Sequence, residues 1–233
     1  ARDISDQIAR EEMLTMIHLK QHLLTATTRH DIKNILSILM GFSSLLSDRQ
    51  SDPEISRIAA VILDQSEKIH AQVMFMEAYE SLGSSLPAWQ EADTIFSRAI
   101  SGFQAEQGLF SSSLGGLFVY ADPLIEKVIY NLCDNAIRYG GRLTGIRTSF
   151  VRDGDSCRWI IEDDGVGIRT DLKEKIFENG FGQTTGLGLY LAREILSITK
   201  IRIQETGTPD EGARFELIIP AGCWRIRDEN GSD

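Results

Sequence analysis

Glu162-Asp163-Asp164-Gly165-Val166-Gly167-Ile168 follows a run of alternating residues, 157–163, that reads as a half-buried strand. The strand leaves on carboxylates and passes at once into an Asp-x-Gly-x-Gly turn. Glycine lets backbone approach another group closely, because no Cβ holds it off. A buried carboxylate at Asp164, with Gly165 and Gly167 behind it, would accept a hydrogen bond from the exocyclic amine of adenine. It would reject guanine, which carries a carbonyl there. A calcium loop and a plain turn are the competing readings. Calcium asks for oxygen ligands at alternate positions, and valine and glycine occupy them here.

Downstream, Thr184-Thr185-Gly186-Leu187-Gly188-Leu189 opens a helix expected over 187–198. Free backbone N–H groups at such a start make an anion site, although close helix packing would also select glycine. Upstream, Asp122-Pro123 caps a helix that runs to Tyr139 and carries Asn131-Leu132-Cys133-Asp134-Asn135-Ala136-Ile137-Arg138-Tyr139. Asn131 and Asn135 are one turn apart and share a face. Their amide oxygens suit magnesium and their amide nitrogens suit phosphate. Arg138 lies further along that face, and Tyr139 is placed to cover a base. A polar helix face with Tyr139 in the core is the alternative. A helix over 91–101, a strand over 117–120, paired strands over 145–152 and 157–163, and final strands over 201–205 and 213–219 complete the pattern. Helices on one side of a mixed sheet make an α/β sandwich over 88–220, and the polar tail 221–233 reads as frayed.

The N-terminal third is different. Residues 1–47 read as one long helix, with 1–23 as a coiled-coil lead-in. Asp52-Pro53-Glu54 starts a second helix that runs to about residue 80, with Ile55, Ile58, Ala59, Ile62, Ile69, Val73, Met76 and Tyr79 as its apolar face. The hairpin 24–80 cannot bury so wide a stripe on one partner, so a dimeric four-helix bundle is expected. Residues 81–87 form a linker, and the whole is an α+β chain. Arg29-His30-Asp31-Ile32-Lys33-Asn34 sits within the first helix. Helical spacing gives His30, Asp31 and Asn34 one shared, exposed patch, where imidazole is a nucleophile and a neighbouring carboxylate can take its proton. A merely solvated face is the plainer reading of those residues alone.

Composition narrows the classes. The net charge of -10 argues against nucleic acid as the main partner. Cys133, Cys157 and Cys223 show no metal spacing and fit a reducing compartment as small buried or edge residues. No apolar run is long enough to span a bilayer, so no direct membrane contact is expected of this segment. The chain opens on Ala1 and is already helical, which suggests a fragment of a longer protein.

The three glycine and asparagine stretches, in this order and behind a helical hairpin, resemble the catalytic core of the sensor histidine kinases of two-component signalling. The hairpin is similar to their dimerisation and phosphotransfer domain. Residues 88–220 are similar to the ATP-binding domain shared by gyrases, chaperones and mismatch-repair ATPases. The glycine-poor lid and the His-Asp-Ile-Lys-Asn box look most like kinases of methanogenic archaea. The resemblance implies that His30 accepts phosphate, that Asp31 is its general base, and that Asn34 positions water in a phosphatase reaction. It implies ATP and Mg2+ as cofactors, with Asn135 on the metal and Asn131 supporting phosphate. Arg138 and Tyr139 would stand near the nucleotide, with Asp164, Gly165 and Gly167 on adenine. Thr185, Gly186, Leu187 and Gly188 would lie by the phosphates, under a lid from Phe177 to Thr185. The implied partners are a second copy and the receiver domain of a response regulator. The implied location is cytoplasmic, compatible with a membrane anchor elsewhere in a full-length protein.

The chain departs from that family in three places. Ile35 replaces the proline after the phosphotransfer box. The lid lacks lysine and arginine, and Thr184 replaces the first glycine of the helix-opening motif. The hydrolases of the superfamily carry a glutamate as water's base where this chain has Asn131, which cannot take a proton. Hydrolysis by that route is excluded, and His30 supplies the alternative acceptor. A non-catalytic dimeric scaffold, suggested by the poor lid, is the competing reading.

Overall fold

The computed structural model describes residues 29, 32–46, 52–103, 106–181 and 186–227. The chain divides into two compact units, Ala1–Met74 and Phe75–Asp233.

The described residues of the first unit are helical, apart from Asp52. Helix α1 covers 32–46 and helix α2 covers Pro53–Ser81, whose last residues belong to the second unit. Asp52 starts α2 through its side chain, Oδ1 accepting the Glu54 amide at 2.9 Å, as the Asp-Pro-Glu sequence requires. Leu36 and Ser43 on α1, and Ala59, Ser66 and Val73 on α2, are buried. They recur every seven residues, which is the seam spacing of packed helices. Of the apolar face expected on the second helix, Ala59 and Val73 lie in that seam while Ile55, Ile58, Ile62 and Ile69 are exposed, as are Ile35, Ile38, Leu39 and Phe42 on α1. Small side chains let two backbones approach, and the bulkier ones are left on the outer surface of the unit.

In the second unit, strand β1 (Ala88–Glu91) leads into helix α3 (Ala92–Ile100). Strands β2 (Phe110–Ser113) and β3 (Leu117–Ala121) precede helix α4 (Ile125–Tyr139). The hairpin β4 (Ile146–Asp153) and β5 (Ser156–Asp163) follows, then helix α5 (Gly188–Ser197), β6 (Arg202–Glu205), β7 (Arg214–Ile219) and β8 (Trp224–Ile226). A five-stranded sheet has the order β2-β4-β5-β7-β6, with β2 parallel to β4 and every other pair antiparallel. A second, antiparallel sheet has the order β1-β3-β8.

Helix α4 buries Ile125, Val128, Ile129, Leu132, Cys133 and Ala136 at helical spacing, and α5 buries Leu191, Ala192, Ile195 and Leu196. Their apolar faces join the inward residues of the sheets, Trp159, Leu217 and Val119 among them, in one core. Burial pushes the Cys133 thiol up to about 12 and the Cys157 thiol up to about 11, so both are packing residues rather than nucleophiles.

Two expectations are corrected here. The tail is not frayed throughout beyond residue 220: β8 pairs with β3, Arg225 opposite Phe118, and Arg225 lies 4.6 Å from the Trp89 ring centre. Glu91, expected to open the helix 91–101, instead closes the strand Ala88–Glu91, in which Trp89 stands opposite Tyr120. Among the described residues no helix is long and apolar enough to cross a membrane.

Candidate functional site

Strand parity decides what the end of β5 presents. Cys157, Trp159 and Ile161 face the core, so Asp163 is aimed inward and Asp164 outward. The buried carboxylate expected at Asp164 is therefore Asp163. Asp164 is exposed, and its oxygens accept from the Thr144 amide (2.8 Å), the Gly145 amide (3.0 Å) and the Thr144 hydroxyl. The Thr144 hydroxyl and then these amides hold its carboxyl at about 2. Asp164 is a staple between the β5 turn and the loop after α4, not a free acceptor.

Asp163 Oδ1 accepts from the amides of Gly165 (2.9 Å) and Ala213 (3.2 Å). Among the described residues nothing donates to Oδ2. Burial raises this carboxyl above its ordinary value, the two amides oppose the rise, and the charges of Asp164 and Glu205 add to it. An inward acid with one uncommitted oxygen is a built acceptor for a ligand N–H. The sequence signal that finds it is the alternation counted from Trp159.

The glycines of the turn answer to protein backbone. A Cβ on Gly165 would lie 2.5 Å from the Gly140 carbonyl oxygen. One on Gly167 (φ +67°) would lie 2.8 Å from that of Thr208 and 2.9 Å from that of Gly212. The Val166 amide donates to the Gly140 carbonyl at 3.0 Å, so the turn is clamped to the end of α4.

On α4, Asn131 and Asn135 keep the one-turn spacing. The Asn131 amide nitrogen donates to the Gly188 carbonyl at 3.1 Å, joining α4 to the first residue of α5. The Asn135 side chain has no hydrogen-bond partner among the described residues, which leaves its amide for a ligand or a metal. Arg138 pairs with Asp134 at 2.9 Å and is half exposed. Tyr139 is exposed, not in the core.

At the third stretch, Gly186 (φ +61°) packs so closely that a Cβ would lie 2.3 Å from the Phe181 carbonyl oxygen. Phe181 and Gly186 thus lie in contact. Gly188 differs: a Cβ there would meet only the Asn131 side chain, at an ordinary 3.7 Å. It is the one glycine of the set that protein packing does not require. Phe177, expected to begin the lid, is buried against Phe215, ring centres 6.3 Å apart, and anchors the lid instead. Thr184 and Thr185 lie outside the described residues, as do His30 and Asp31. Asn34 is exposed on α1.

Residues 20–83 match the His Kinase A (phospho-acceptor) domain, and residues 121–222 match the histidine kinase-, DNA gyrase B- and HSP90-like ATPase family. The signal transduction histidine-protein kinase AtoS of Escherichia coli is 28% identical over 93% of this chain and 38% of its own length. The chain therefore spans less than half of that relative. The crystal structure of full-length ShkA in complex with AMPPNP aligns over 84% of this chain and 45% of that one, with TM-score 0.58 and 19% identity, a likeness of fold. Histidine kinase ThkA in complex with the response regulator TrrA aligns over 84% of this chain and 60% of that one, with TM-score 0.57 and 24% identity.

Proposed function

We propose that the chain is the core of a sensor histidine kinase, which phosphorylates itself on His30 from ATP and passes the phosphoryl group to an aspartate of a response regulator; the paired phospho-acceptor and ATPase matches support the reading. The observation that carries the reading is the uncommitted pair of acceptors, Asp163 Oδ2 and the Asn135 amide, on elements clamped around the Gly140–Gly165 contact. Asp163 accepts the adenine amine, a role transferred from Asp164. Asn135 holds magnesium, which would supply positive charge beside the phosphates. The first-turn amides of α5, opened by Gly188, receive phosphate oxygens, with Asn131 fixing the start of that helix.

Transfer to His30 forms a bond from a ring nitrogen to the γ-phosphorus as the bond to the bridging oxygen of ADP breaks, and the ring proton goes to Asp31. Asn34, one turn after His30, positions water when the enzyme acts as a phosphatase on the phosphorylated response regulator. The exposed stripe Ile35, Ile38, Leu39 and Phe42 supports a homodimer closed by the same face of a second copy. The response-regulator partner rests on the family and on the complex in which ThkA stands. The named relative AtoS is bacterial, so the affinity to kinases of methanogenic archaea gains no support.

The nucleotide half is tested by ATP titration with and without magnesium. Binding strengthened by magnesium in the parent and lost in Asn135→Ala upholds it. A folded parent that binds no ATP refutes it and favours the scaffold.

A further inference from the structure

Strand β6 sets Ile203 and Glu205 on one face, the face of Ile201 just before it, and these point into the core. Glu205 stands opposite Phe215 of β7, where the pattern asks for an apolar residue. Its side chain is fully buried, 0% exposed. Oε1 accepts from the amides of Gly207 (2.9 Å) and Arg214 (3.1 Å). Oε2 meets Lys173 Nζ at 2.7 Å as an ion pair, without the directionality of a hydrogen bond. Lys173 also donates to the Gly207 carbonyl.

Removing two charges from water costs more than their attraction returns in most cores, and an apolar pair of like volume would fill the space as well. What the ion pair does that an apolar pair cannot is grip backbone. Both of its anchor points lie in the loop 206–214, which walls the Asp163 turn. Gly207 precedes Thr208, whose carbonyl lies against Gly167. Arg214 follows Ala213, whose amide donates to Asp163. Between them the Asp210 amide donates to the Val166 carbonyl at 2.9 Å.

We propose that Lys173 and Glu205 are a positioning pair for the nucleotide site: Glu205 holds the loop 206–214 against the Asp163–Gly167 turn, and Lys173 supplies its counter-charge from the segment that anchors the lid at Phe177. This rests on the nucleotide reading above. Neither residue touches the ligand. Their effect is on where Asp163 stands.

The test uses the full chain, thermal unfolding, and ATP affinity in the presence of magnesium. The double variant K173L/E205V fills the space with apolar groups but leaves the Gly207 and Arg214 amides without their acceptor, so it is expected to stay folded with a lowered Tm while ATP binds about tenfold more weakly or worse. The double variant K173M/E205Q keeps a carbonyl facing Gly207 and Arg214 and is expected to retain most of the affinity. A folded K173L/E205V with parental affinity overturns the proposal, as does an equal loss in both double variants. If K173L/E205V does not fold, K173M decides. Binding weakened at least about tenfold and restored by adding E205Q upholds the pair as positioning; unchanged affinity overturns it. A folded parent that binds no ATP overturns the nucleotide reading, and this inference with it.

Discussion

Asp163 and Ala213 are bonded to each other twice: the Asp163 amide donates to the Ala213 carbonyl at 2.9 Å, and the Ala213 amide donates to Asp163 Oδ1 at 3.2 Å. The exchange fixes the carboxylate by one oxygen and spares the other. Asp163→Asn replaces an acceptor with a group that also donates, and ATP affinity is expected to fall at least about tenfold. Asp164→Asn weakens the staple to Thr144 and leaves affinity within a few-fold of the parent, with a modest fall in Tm. Titration of both variants by calorimetry checks the assignment.

The two acids respond to pH in opposite directions. Burial raises Asp163, so the folded protein takes up its proton more readily than the unfolded chain does. Its effect on stability improves as pH falls through its folded value, but the protonated group no longer accepts an amine without competition. ATP affinity is therefore expected to decline as pH falls, beginning at a higher pH than an ordinary aspartate would give. Asp164, held at about 2, adds stability above its ordinary 3.8 that is lost as pH falls through the lower value. Because Asp164 is exposed, solvent screening makes that contribution small. Affinity should fall before the protein unfolds, which paired ATP titration and thermal melts across mildly acid pH will show.

The glycines separate packing from binding. Gly186→Ala drives a Cβ into the Phe181 carbonyl at a left-handed backbone angle, so it is expected to lower Tm and to spread the lid. Gly188→Ala meets only ordinary contact and is expected to leave the unfolding free energy within about 1 kcal/mol of the parent's while weakening ATP more than it weakens adenosine. Equal losses for ATP and adenosine would move the phosphates away from α5.

The asparagines divide in the same way. Asn131→Ala removes the bridge to the Gly188 carbonyl and is expected to cost about 1 kcal/mol of stability. Asn135→Ala breaks no bond in the protein, so Tm should hold while the magnesium-dependent part of ATP binding disappears. Melting curves and titrations with and without magnesium check both.

The long elements were legible because their own side chains specify them. The α4 stripe from Ile125 to Ala136 and the alternation from Cys157 to Asp163 are local patterns. The strands Ala88–Glu91, Phe110–Ser113 and Trp224–Ile226 were not. They exist through distant pairings, Trp89 with Tyr120, Phe110 with Ile146 and Arg225 with Phe118. The glycine and asparagine motifs located the site, but two adjacent aspartates concealed which one faces inward. Phe177 was read with the lid because nothing in the sequence near it names its partner, Phe215.

The most direct test of the account is incubation with γ-labelled ATP and magnesium, comparing the parent with His30→Gln and Asn135→Ala. The account predicts acid-labile label on the parent and none on either variant, since phosphohistidine hydrolyses in acid and both halves of the chemistry are needed. Label that persists in His30→Gln would contradict it, because the nucleophile would then lie elsewhere in the chain.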